Sequence, residues 1–196
     1  MEGLDDEVYA TKLYEEFNYF LVEAPEALKA IVEKPPVPAP APLVKWVGRW
    51  HPERITLSNE NMTATCTVTD GSSVVGEVSL NRFSVRVDNR GDNGKMSIGL
   101  VTRDYNPGTA GYRWYAIQVI TGRASHKIGT APARTSRDYT TPILNGDIIT
   151  VIREGTSISF EKNGVSLGVA FNDVPEEMTL DPNLEMLRVN QKITSV

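Results

Sequence analysis

The sequence predicts an all-β domain, an antiparallel β-sandwich, preceded by an α-helical leader and a proline-rich linker. Three observations carry that expectation. From Val44 onward the chain is a succession of short runs rich in β-branched and aromatic residues, with no helical period between them. Turn signals separate the runs: Asp70-Gly71, Arg90-Gly91 with Asn93-Gly94, Asn106-Pro107-Gly108, Asn145-Gly146 and Asn163-Gly164. Asn-Gly supplies the positive φ that tight hairpins demand. Before Val44 the texture is different. Residues 1–34 hold nine acids and three bases, and residues 35–42 hold five prolines.

Residues 4–33 read as helix. Tyr9, Leu13, Phe17 and Phe20 are spaced four, four and three apart and share one face, which Leu21, Ala24 and Leu28 widen. Asp5, Asp6 and Glu7 stand near the start, where carboxylates favour the helix dipole. Pro25 can open a second short helix over 26–33. The prolines of 35–43 forbid helix and favour an extended polyproline II spacer of roughly 25 Å, at about 3.1 Å per residue. The expected organisation is a helical leader at 1–34, a linker at 35–43 and a sandwich at 44–196.

Within the sandwich the expected strands are 55–57, 63–69, 74–80, 82–88, 95–102, 113–120, 147–153, 157–161, 166–171, 178–188 and 190–196. The run 82–88 alternates cleanly, with Phe83, Val85 and Val87 on one face and Ser84 and Arg86 on the other. Residues 122–141 read as one long loop. Cys66 shares a strand face with Ala64 and Val68, so it reads as a small buried residue rather than a nucleophile.

The order of these motifs resembles the SPRY domain, the core of the B30.2 family. Trp50-His51-Pro52 followed by Ile55-Thr56-Leu57-Ser58 is similar to the family's opening strand. Phe83-Ser84-Val85-Arg86-Val87 falls where the family has an aromatic-led strand, Ser97 through Tyr105 is similar to its Val-Gly-Leu-Ala-Thr-Arg-Asp strand, and Trp114-Tyr115-Ala116-Ile117 occupies the place of its next aromatic strand. The most specific match is Gly146-Asp147, then Ser159-Phe160-Glu161-Lys162-Asn163-Gly164, then Leu167-Gly168-Val169-Ala170-Phe171. In that phrase Gly168 is expected to permit a close backbone approach. The resemblance implies a bent, concanavalin-like sandwich and a role in protein recognition. The longer tripartite-motif type carries Leu-Asp-Tyr-Glu where this chain reads Val151-Ile152-Arg153-Glu154, so a plain SPRY module is the better match.

Composition removes several function classes. The net charge of −5 lacks the basic excess of a strong nucleic-acid binder. No apolar run approaches the roughly 20 residues of a membrane helix, and Met1 to Glu7 lack the basic start of a secretory signal. One cysteine and two histidines, His51 and His126, offer no zinc set. No phosphate loop and no nucleophile–base pair stands out, so neither enzyme activity, cofactor, metal nor small-molecule substrate is expected. The single cysteine points to an intracellular, cytoplasmic setting, with nuclear, cytoskeletal or ciliary assemblies also open.

Function is then expected in loops on a rigid scaffold. The first candidate group is Arg103, Asp104, Tyr105 and Tyr112, because arginine and aromatic side chains anchor interfaces. In this reading Tyr105 and Trp114 can equally fill the sandwich edge. The second is Arg123, His126, Lys127, Arg134 and Arg137, a basic stretch suited to an acidic or phosphorylated peptide. The leader face of Tyr9, Leu13, Phe17 and Phe20 is the third, a docking surface for a second partner within a larger complex. The expected function is a non-catalytic adaptor or scaffold subunit. The alternative is a self-contained domain whose leader packs on its own sandwich and regulates the ligand face. An RNA-binding accessory role is the weaker competitor, since the body outside the leader is close to neutral.

Overall fold

The computed structural model describes residues 41–91, 95–103, 113–128 and 135–196, which form two antiparallel sheets of seven strands each. The strands are β1 (Trp46–Trp50), β2 (Ile55–Ser58), β3 (Thr63–Cys66), β4 (Ser72–Gly76), β5 (Arg82–Asn89), β6 (Met96–Thr102) and β7 (Arg113–Gln118). They continue as β8 (Arg123–Ile128), β9 (Thr135–Asp138), β10 (Ile148–Glu154), β11 (Ser157–Lys162), β12 (Val165–Phe171), β13 (Leu180–Met186) and β14 (Lys192–Ser195). Sheet 1 runs β1-β4-β13-β6-β7-β8-β9, and sheet 2 runs β12-β11-β10-β5-β14-β3-β2. The leader and its docking face lie outside the described residues.

The all-β sandwich is as the sequence predicts, and the core follows from period-two alternation. Phe83, Val85 and Val87 of β5 point inward with Ile149 and Val151 of β10 and Ile158 and Phe160 of β11. Sheet 1 answers with Ile98 and Leu100 of β6, Tyr115 and Ile117 of β7, and Leu184 and Met186 of β13. Trp46 is fully buried and meets the Phe83 ring edge-on at 6.4 Å.

The signature phrase closes around one carboxylate. Asp147 accepts the Leu144 amide at 2.8 Å and Asn163 Nδ2 at 2.8 Å, and pairs with Lys162 Nζ at 3.1 Å. Asn163 and Gly164 both have positive φ, as the hairpin reading requires. Burial alone would raise the Asp147 carboxyl; the Leu144 amide, Asn163 and Lys162 outweigh it and hold it below the ordinary carboxylate value.

Four expectations need correction. Residues 122–141 are not a loop: they contain β8 and β9, which extend sheet 1 to its edge. Strand β3 ends at Cys66, and Val68 is exposed rather than sharing the buried face of Ala64 and Cys66. Gly168 has open space where a Cβ would stand; what it supplies is φ +79, which breaks the register of β12 against β11. Trp114 does not fill the sandwich edge. It is buried on the side of sheet 1 that faces away from the core, in a separate cluster with Val75, Val101 and Ala116.

Candidate functional site

The two sheets end on the same flank in β9 and β12, and a cleft of about 420 Å³ opens there. Its floor is aromatic. Tyr115 and His126 are cross-strand partners in β7 and β8, and their rings stack at 6.2 Å and 24°. Phe171, at the end of β12, meets Tyr115 at 5.4 Å and His126 at 5.9 Å, edge-on to both. Ala124 and Ala170 are small and buried, and they leave the space that the rings border.

Charge lies at the rim. Arg113 begins β7, and no hydrogen bond or ion pair engages its guanidinium among the described residues. Asn172 and Asp173 also line the cleft. Arg137 reaches across the flank, where its Nη2 donates to the carbonyls of Val169 at 2.9 Å and Ala170 at 2.7 Å. Its guanidinium also stands 5.9 Å above the Tyr139 ring. Tyr139 donates to the Gly168 carbonyl and packs edge-on against Phe160. Burial pushes its hydroxyl pKa up, which keeps it a donor at every physiological pH. Arg137 and Tyr139 thus latch β9 onto β12.

The basic candidates separate on this geometry. His126 and Arg137 both line the cleft. Arg123 and Lys127 alternate with Ala124 and His126 and so take the opposite face of β8. Arg123 there faces Asp138 at 3.5 Å. Arg103 belongs to a different network, with its Nη2 on Ser79 Oγ at 2.9 Å and Asp181 Oδ1 at 3.3 Å. Asp104, Tyr105, Tyr112 and Arg134 lie outside the described residues.

Arg113, Tyr115 and Phe171 were not among the sequence-derived candidates. Each had a signal. Arg113 and Tyr115 alternate around Trp114, and Phe171 ends the family phrase. What was missing was the pairing of β8 to β7, which brings His126 beside Tyr115.

The comparisons agree with this architecture. The description "SPRY domain" matches residues 81–192, more than half of the chain, and the protein belongs to that family. A human SPRY domain structure is 21% identical with a TM-score of 0.57, covering 72% of this chain and 94% of that one. The SPRY domain of human HERC1 is 19% identical with a TM-score of 0.53, covering 75% and 96%. The neuralized NHR1 domain of Drosophila melanogaster is 12% identical with a TM-score of 0.52, covering 79% and 98%. At these identities the structural likeness concerns the fold alone. No curated protein sequence matches the chain. Domains of the SPRY family are generally protein–protein interaction modules.

Proposed function

We propose that this protein is a non-catalytic adaptor or scaffold subunit of an intracellular assembly, and that the flank cleft holds a peptide segment of its partner. The observation that carries this reading is the aromatic floor of Tyr115, His126 and Phe171 beside the Arg113 guanidinium at the cleft rim. An aromatic pocket with an arginine at its rim suits an apolar side chain next to a carboxylate or phosphate. An acidic or phosphorylated peptide is therefore the favoured ligand class. Arg137 serves it indirectly, because its hydrogen bonds are already committed to β12.

The test is selection of a random peptide library displayed on phage against the full chain, followed by titration of the selected peptides. Enrichment of acidic sequences is expected, with Arg113→Glu weakening them at least tenfold and Phe171→Ala by about tenfold, the equivalent of about 1.4 kcal/mol. Affinities unchanged by both substitutions would place the partner site elsewhere.

Two uses of the leader follow from its sequence: holding a second partner, or packing on its own sandwich.

A further inference from the structure

We propose that the flank cleft selects phosphotyrosine, with the ring completing the inner layer of the sandwich and the phosphate meeting Arg113. This rests on the reading of the cleft as a peptide site and narrows it to one anchoring side chain. The cleft opens on the inner faces of both sheets. Tyr115 and His126 are cross-strand partners on the core side of β7 and β8, and Ala124 stands two residues before His126 on the same side. Tyr115, Ala124 and Ala170 belong to the main hydrophobic core, and Phe171 packs against it. The cleft is therefore a gap at the margin of the core, walled by rings and kept open by two alanines. At about 420 Å³ it lies toward the small end of the range for ligand sites, a size suited to one large side chain.

The chemistry of the anchor follows from what the walls offer. Rings already set in stacked and edge-on pairs favour a further ring over an aliphatic chain. Arg113 lies two residues before Tyr115 on the same face of β7, about 6.6 Å along the strand. A phenyl ring seated on Tyr115 with its para position toward Arg113 carries a phosphate to the guanidinium. Arginine–phosphate pairs are charge-assisted and commonly bidentate. A phosphoserine carries its phosphate one carbon from the backbone and leaves the aromatic floor uncovered. A glutamate offers no ring and less charge than a phosphate. Arg137 adds positive charge to the wall while its Nη2 stays on the carbonyls of Val169 and Ala170. Asp173 also lines the cleft, in the chain that leaves β12 of sheet 2. It repels a phosphate placed beside it, which leaves the Arg113 side, on sheet 1, as the place for the anion. Two arginines against one aspartate make the lining net positive.

The experiment presents the full chain with degenerate peptide libraries whose central residue is fixed as phosphotyrosine, tyrosine, phosphoserine or glutamate. The phosphotyrosine library should be retained at least tenfold better than each of the others. Phenyl phosphate should compete with it, and inorganic phosphate at the same concentration should not. Arg113→Gln should remove the preference for phosphotyrosine over tyrosine. Ala170→Leu, which fills the gap from within, should remove the preference for phosphotyrosine over phosphoserine. Equal retention of phosphoserine or glutamate overturns the choice of phosphotyrosine and leaves an acidic-peptide site standing. Equal retention of tyrosine, or no competition by phenyl phosphate, also overturns it. Retention of no library, together with phage-selected peptides indifferent to Arg113→Glu and Phe171→Ala, overturns both the anchor and the peptide site. If Ala170→Leu fails to fold, Ala124→Val is the smaller filling, and the phenyl phosphate competition on the unaltered chain still decides.

Discussion

The outward faces of the two sheets are made differently. Sheet 2 presents a polar mesh: Ser84 bonds Thr150 at 2.8 Å, Arg82 pairs with Glu161 at 2.9 Å, and Thr194 links Thr63 at 2.9 Å to Asp88 at 2.5 Å. Sheet 1 presents Val75, Val101, Trp114 and Ala116, with serines and an asparagine between them. An antiparallel sheet that meets water on one side alternates apolar and polar residues, as sheet 2 does. Sheet 1 does not, and its strands β4, β6 and β13 are buried along almost their whole length. The outward face of sheet 1 is therefore buried around Trp114, where that of sheet 2 is polar.

The sharpest way to break that comparison is a truncation on each face. Trp114→Ala should cost about 3–5 kcal/mol, the usual range for removing a buried tryptophan. Ser159→Ala, on the outward side of β11, should stay within about 0.5 kcal/mol. Urea melts of the two variants measure both, and equal losses would remove the distinction between the faces.

A smaller effect is expected at the rim of sheet 2. Asp147→Asn should cost about 1–3 kcal/mol, since charge-assisted hydrogen bonds from Leu144, Asn163 and Lys162 converge on this carboxylate. The folded-state pKa is depressed. The contribution is therefore fully present above the ordinary aspartate value and is lost as pH falls through the folded value. Melting followed from pH 7 to pH 2 should show wild type losing more stability on acidification than the Asn variant. Parallel curves would show that the network adds nothing.

The smallest effect belongs to the mesh itself. A double-mutant cycle on Arg82 and Glu161, both partly exposed, should give a coupling of about 0–1 kcal/mol that shrinks with added salt. A larger, salt-insensitive value would mean that sheet 2 also depends on its outer layer.

Much of sheet 2 was legible in the sequence because its signals are local. Asn163-Gly164 marks the β11–β12 hairpin, and the Phe83-Val85-Val87 alternation marks β5. Strands β8 and β9 were not legible. Thr135-Ser136-Arg137-Asp138 has no apolar residue, and Arg123 to Lys127 places a histidine where a hydrophobic residue would have marked the inward face. Both are strands because their neighbours in sheet 1 supply partners, which is information from distant sequence. The cleft shared that fate, since it exists only where β8 meets β7 and Arg137 meets β12. The outward face of sheet 1 did leave a trace. Trp114 to Ile117 and Ile98 to Val101 are continuous non-polar runs rather than alternating ones, the pattern of strands covered on both sides.

The latch at the flank has a consequence for solubility. Edge strands expose unpaired carbonyls and are templates for sheet-to-sheet aggregation. Strand β12 is such an edge, with Val165 67% and Val169 52% exposed. Its carbonyls at Val169 and Ala170 are already occupied by Arg137, that of Gly168 by Tyr139, and the positive φ of Gly168 interrupts the straight ladder. The same contacts that shape the cleft keep the open side of sheet 2 from recruiting a strand of another molecule.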